Sequence, residues 1–169
     1  GAQSNQFNLY YAAAAGLVLK TNGTAFTSPG LNAAGDNSSP LFYEITIVTK
    51  LTEVATCSIA ADSNGICQGT LDFSLVSGTW TVWMDDTPDA NFSNGTGFTG
   101  SAAEKILSGS WTSTTGTFDA SSGSGNQLDL VGNVLYTNNA FINPNLVGTK
   151  ASSTLQIGSQ QTTTPSTTQ

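Results

Sequence analysis

Hydrophobic and polar positions alternate most clearly over 41–59, where Phe42, Glu44, Thr46 and Val48 fall on one side and Tyr43, Ile45, Ile47 and Thr49 on the other. A period of two predicts a β-strand, and apolar residues on both sides predict that both faces are partly covered. The pattern runs on through Val54 to Cys57, breaks at Ser63-Asn64-Gly65 and resumes over 66–76 with Leu71, Phe73 and Leu75 in phase, which predicts a hairpin. Ser77-Gly78 reads as a tight connection into a further strand over 79–84, where Trp80, Val82 and Met84 share a face and Trp83 takes the other. Shorter β-rich runs follow at 105–112 with Ile106, Leu107 and Trp111, and at 116–120 with Phe118. Another ends at Thr137, in which Leu128, Leu130, Asn133 and Leu135 do not alternate cleanly, and a last one covers 153–158 with Leu155 and Ile157.

The first twenty residues are less regular. Phe7, Leu9, Tyr10 and Tyr11 precede four alanines, Gly16, and then Leu17, Val18 and Leu19. The alanines favour a short helix, whereas Tyr, Leu and Val around a glycine favour strands with a bend; the strand reading is preferred. Segments 21–40, 85–103 and 138–149 are rich in Asn, Gly, Ser, Thr or Pro and read as loops. Short strands separated by turn residues predict an all-β fold, an antiparallel β-sandwich or jelly-roll-like single domain over 1–158. The Ser, Thr, Gln and Pro tail at 159–169 cannot build a core. The apolar stretch within 5–20, carrying Phe7, Leu9, Tyr10, Tyr11, Leu17 and Leu19, is suited to add a strand to a neighbouring subunit.

Composition narrows the function. A chain of 169 residues fits one core. Its net charge is −7, and its only cations are Lys20, Lys50, Lys105 and Lys150, too few to neutralise a run of phosphates, so nucleic acid is excluded as an expected partner. Without histidine there is no imidazole for a triad or for zinc, and most hydrolase mechanisms lose their central part; the expectation is that this is not an enzyme. No apolar run is long enough to span a bilayer as a helix. The start, Gly1-Ala2-Gln3-Ser4, has no charged or long apolar segment, which sets the expectation that any signal peptide has already been removed. Cys57 and Cys67 flank Asp62-Ser63-Asn64-Gly65, turn chemistry that brings two sulfurs together; one disulfide is expected, and with it an oxidising, extracellular location. Two free buried thiols are the alternative.

Candidate chemistry is concentrated after residue 84. Asp85, Asp86, Asp89 and Asn91 place three carboxylates and an amide oxygen within seven residues, a donor set suited to calcium, although the EF-hand glycine and closing glutamate are absent. A solvated turn with capping aspartates is the plain alternative. A glycosidase pair would need Glu44 or Glu53 to face this run across a cleft. Trp80 on an alternating strand belongs to a core, while Trp83 on the opposite face is the candidate for glycan contact or an intersubunit surface. Asn-x-Ser/Thr sequons begin at Asn22, Asn37, Asn91 and Asn94.

Taken as a block, residues 80–109 (WTVWMDDTPDANFSNGTGFTGSAAEKILSG) resemble bacterial exported proteins that carry a PEP-CTERM sorting signal, notably the flocculation-associated group. The likeness lies in the Asp86-Thr87-Pro88-Asp89-Ala90-Asn91 loop, the Gly95-Thr96-Gly97-Phe98-Thr99-Gly100 turn and the Ile106-Leu107-Ser108-Gly109 strand, with Leu9-Tyr10-Tyr11 near the start. It is specific over about thirty residues. The Pro-Glu-Pro signal, its apolar helix and its basic tail do not follow Ser159. The resemblance implies an all-β ectodomain, export to the outer surface and a role in floc or biofilm cohesion beside exopolysaccharide. It brings no catalytic residues. Two expectations result: a self-associating structural protein of a surface or matrix, built into filaments by strand exchange, and, as the alternative, a module that binds exopolysaccharide without polymerising.

Overall fold

The computed structural model describes residues 4–20, 22–26, 30–31, 43–60, 62–101, 104–119 and 124–158. Asn37 and the 159–169 tail lie outside these residues. The strands are β1 (Ser4–Ala14), β2 (Glu44–Cys57), β3 (Thr70–Asp85), β4 (Lys105–Thr115), β5 (Thr117–Asp119), β6 (Ser124–Thr137) and β7 (Lys150–Gly158). All pairings between them are antiparallel. β4 and β5 are one ladder position broken at Gly116: β3 pairs with β4 through Thr79–Trp83 and with β5 through Thr70–Asp72, and β6 pairs with both. The sheet therefore runs β1, β2, β3, β4/β5, β6, β7 in chain order, a meander.

The expected class, all-β and antiparallel in a single sandwich-like domain, is what forms. One sheet supplies both walls of the core by curling into a half-barrel. Leu51 on β2, Trp80 on β3, Trp111 on β4, Leu130 and Val134 on β6 and Leu155 on β7 form one buried cluster, with Leu9 and Tyr11 of β1 packed against it. Strands lie about 4.8 Å apart in a sheet, so side chains from β1 and β7 could not share a cluster if the sheet were flat.

Glycines let the tryptophans lie flat. Trp80 is directly opposite Gly109, and a Cβ there would stand 2.6 Å from Trp80 Cζ2. Trp111 is opposite Gly132, and on its other side covers Gly78, where a Cβ would stand 2.7 Å from Leu51 Cδ2 and 2.9 Å from Trp111 Cδ1. The two indoles meet with ring centroids 5.7 Å apart. Ser77-Gly78 is thus not a connection, as the sequence suggested. It lies inside β3, and the glycine is there to admit Leu51 and Trp111. The break sensed at that point is a bulge, since Thr52 faces Ser77 while Glu53 faces Leu75.

Bulges also explain the irregular runs. Leu135 is skipped between the Ser108–Tyr136 and Gly109–Val134 pairs and is 62% exposed, so burial shifts from Leu130, Gly132 and Val134 to Thr137. In β2 the phase changes for a different reason. Thr49, Leu51, Glu53 and Cys57 face the curled core, whereas Glu44 and Thr46 are buried on the opposite face. Something covers that convex face at one end of the sheet, and it is the loop after β3.

Phe7, Leu9, Tyr10 and Tyr11, expected to serve a neighbour, belong to β1 and pair along β2 of their own chain from Ser4–Thr56 to Ala14–Thr46. The alanines are strand, not helix. Leu17 and Leu19 follow in a small hairpin closed by the Leu19–Ala25 bridge, and both are exposed.

Candidate functional site

The loop over 86–101 is made rigid by its own short polar side chains. Asp85 Oδ1 accepts from Thr87 N (2.8 Å), Asn91 Oδ1 from Ser93 N (2.9 Å), and Asn94 Oδ1 from Thr96 N (3.1 Å) and Thr96 Oγ1 (2.8 Å). These are Asx turns, which give the chain bends that no sheet partner supplies. Backbone bonds between Asn91 and Thr96 close the tip. Gly97, at φ +77°, then passes so close to Asp89 that a Cβ would fall on its carbonyl and carboxylate oxygens. That requirement combines positive φ with contact, and only glycine meets both.

The loop docks through three anchors. Phe98 is buried and meets Phe92 edge to face at 4.9 Å. Thr46 Oγ1 donates to Phe98 O at 3.0 Å. Glu44, 3% exposed, accepts from the backbone N–H of Asp89 and of Ala90, each at 3.2 Å. The 80–109 block is therefore one structural unit, folded back over the start of β2.

Carboxylates gather where it docks. Oxygens of Glu44, Asp85 and Asp89 lie within 4.8 Å of one another, and so do those of Asp85, Asp86 and Glu104. Ser101 N donates to the Glu104 carboxylate. Lys105, at the start of β4, holds its ammonium over the Tyr136 ring at 4.4 Å. Burial pushes the Glu44 carboxyl above its usual range, and the charges of Asp89 and Asp85 add to that; the two N–H donors act against it. Calcium takes oxygen ligands at roughly 2.3–2.6 Å, so donors sharing one ion lie within about 5 Å of each other, and both triads meet that condition.

Sequence reasoning located Asp85, Asp86 and Asp89, named Glu44 only as a partner for a glycosidase pair, and missed Glu104; these two come from the start of β2 and from just before β4. A carboxylate on a strand face that is otherwise apolar was the available signal for Glu44. Asn91 Oδ1 accepts from Ser93 N within its own turn. Glu44 does face the aspartates, as a glycosidase pair would need, but both its oxygens are occupied by backbone donors beneath the loop. Trp83 is half-buried on the convex face opposite Thr46, with its Nε1 enclosed and unpartnered. Trp80 and Trp111 are core residues. Of the described sequons, Asn22, Asn91 and Asn94 are exposed, and Asn22 Oδ1 accepts from Thr24 N and Thr24 Oγ1 at a hairpin tip. Cys57 and Cys67 form the expected disulfide, Cα atoms 5.7 Å apart.

Two further features lie outside the loop. Glu53 is 1% exposed in the curled core, and neither of its carboxylate oxygens has a hydrogen-bond partner. β1 and β7 are the outer strands of the sheet, and among the described residues no strand pairs with their outer edges. Comparison with known proteins gives no match among protein-family models, curated proteins or solved structures.

Proposed function

We propose that this chain is an extracellular structural domain of a cell surface or biofilm matrix that associates with copies of itself, and that it performs no catalysis. The observation that carries the reading is the state of the sheet edges. β1 is eleven residues long with no charge, no proline and no bulge against β2, and β7 is nine residues long with Lys150 as its one charge. Soluble monomers blunt such edges with lysines, prolines, bulges or short strands, because an open edge is a template for another strand. A disulfide in the chain fits an oxidising compartment. The chain has no histidine, and Glu44 is used as a clamp for the loop, which supports a non-catalytic reading.

The alternative, a polysaccharide-binding module, needs an exposed aromatic platform. Two of the three tryptophans are in the core and the third is half-buried, so the observations favour association over glycan stacking. Calcium is the cation we propose for the acidic end of the sheet, where it would tie Glu44, Asp85 and Asp89 together and neutralise their charge. Sedimentation velocity on the full chain over a range of concentrations, with a glycan array in parallel, tests the reading. Mass that grows with concentration supports self-association; a constant monomer mass with selective glycan binding would establish the alternative.

A further inference from the structure

The outer edges of β1 and β7, which no strand pairs among the described residues, are complementary in direction and in phase. With six ladder positions in strict antiparallel order, β1 and β7 of one chain run in opposite senses. A second copy turned about an axis along the strands, as the curl of the sheet requires, therefore presents its β1 antiparallel to the first copy's β7.

Phase can be read from the ladders. Ala15 N donates to Ile45 O, continuing the β1–β2 register, so the odd-numbered residues of β1 bond to β2 and Gln6, Asn8, Tyr10 and Ala12 direct their N–H and C=O outward. Val134 N donates to Thr149 O, so Ala151, Ser153 and Leu155 bond to β6 while Ser152 directs its own N–H and C=O outward. On both edges the outward-bonding residues carry side chains on the convex face, because Leu9, Tyr11, Ala151 and Leu155 all pack in the concave core. Residues opposite each other in an antiparallel pair share a face, so joining these edges aligns the concave rows of the two copies. Had one edge been out of phase, apolar side chains would have been driven to solvent.

We infer that copies of this chain join head to tail, the outer edge of β7 pairing with the outer edge of β1 in the next copy to give a directional, continuous antiparallel sheet. The inference rests on the self-association proposed above and adds which edges meet. Two blocking variants of the full chain test it. Tyr10→Pro and Ser152→Pro each remove one outward N–H without removing a ladder bond to β2 or β6. Tyr10→Lys and Ser152→Lys serve as milder versions, and circular dichroism checks that each is folded. Each variant alone stays monomeric at concentrations where the unmodified chain is polymeric, and an equimolar mixture stops at a dimer, since only one β1 edge and one β7 edge remain. Three outcomes overturn the inference. Dimers formed by Ser152→Pro alone would show β1 pairing with β1. Polymers formed by folded variants would show that association uses another surface. An unmodified chain that stays monomeric throughout would remove the underlying proposal as well.

Discussion

Glu53→Gln is a test of how the core tolerates its buried acid. Glu53 faces Phe7 on β1 and Leu75 on β3, with no cation opposite, and its carboxylate is 1% exposed. Burial pushes its carboxyl above the usual carboxylate range; the nearby Thr114 hydroxyl opposes this but forms no well-aligned hydrogen bond with it. A carboxyl whose pKa is raised on folding lends stability that is complete below the unfolded-state value and is lost as the pH rises through the folded-state value. Within that window the loss is about 1.4 kcal/mol per pH unit. For a domain of this size each kcal/mol moves the midpoint by roughly 2–4 °C. Glutamine keeps the shape and cannot ionise. Melting both proteins from pH 4 to pH 8 should show similar midpoints at the acid end. The gap in favour of Glu53→Gln should then widen with pH and level off once the wild-type acid is ionised. A gap that is constant across the range, or that widens toward acid, would refute the assignment of Glu53 as a neutral core residue.

Gly109→Ala should cost at least about 3 kcal/mol by denaturant titration, because the new methyl meets Trp80 Cζ2 and the Asn133 carbonyl, whereas Gly16→Ala, with nothing within 4 Å, should change stability by less than about 1 kcal/mol. Replacing both Cys57 and Cys67 with Ala opens a loop with a sequence separation of 10 and should lower stability by about 3 kcal/mol. Millimolar calcium should raise the melting midpoint and a chelator reverse it, by up to about 2.7 kcal/mol at a hundredfold excess over the dissociation constant. Asp89→Asn should remove most of that response, and a midpoint indifferent to calcium and chelator would dismiss the site.

Alternation was enough to read the β class, the long strand ending at Cys57 and the disulfide, since each depends on local period or turn chemistry. The length of β3 was not legible, because a glycine that admits Trp111 has the same letter as a glycine that makes a turn. The phase change in β6 depends on a bulge set by β4, which pattern within β6 does not encode. The aspartates of the loop were visible as a run. Glu44 and Glu104 join them only through the register that brings the starts of β2 and β4 to the end of β3. Leu9, Tyr10 and Tyr11 were read as a strand for a neighbouring subunit, but the strand pairs with β2 of the same chain, a partner about forty residues away that local pattern does not name.

Negative-stain electron microscopy of the full chain across a concentration series tests most directly whether the outer edges of β1 and β7 join copies of the chain. The account predicts unbranched fibres that lengthen with concentration, each built from single domains joined edge to edge. Dispersed particles of single-chain size at every concentration would contradict it.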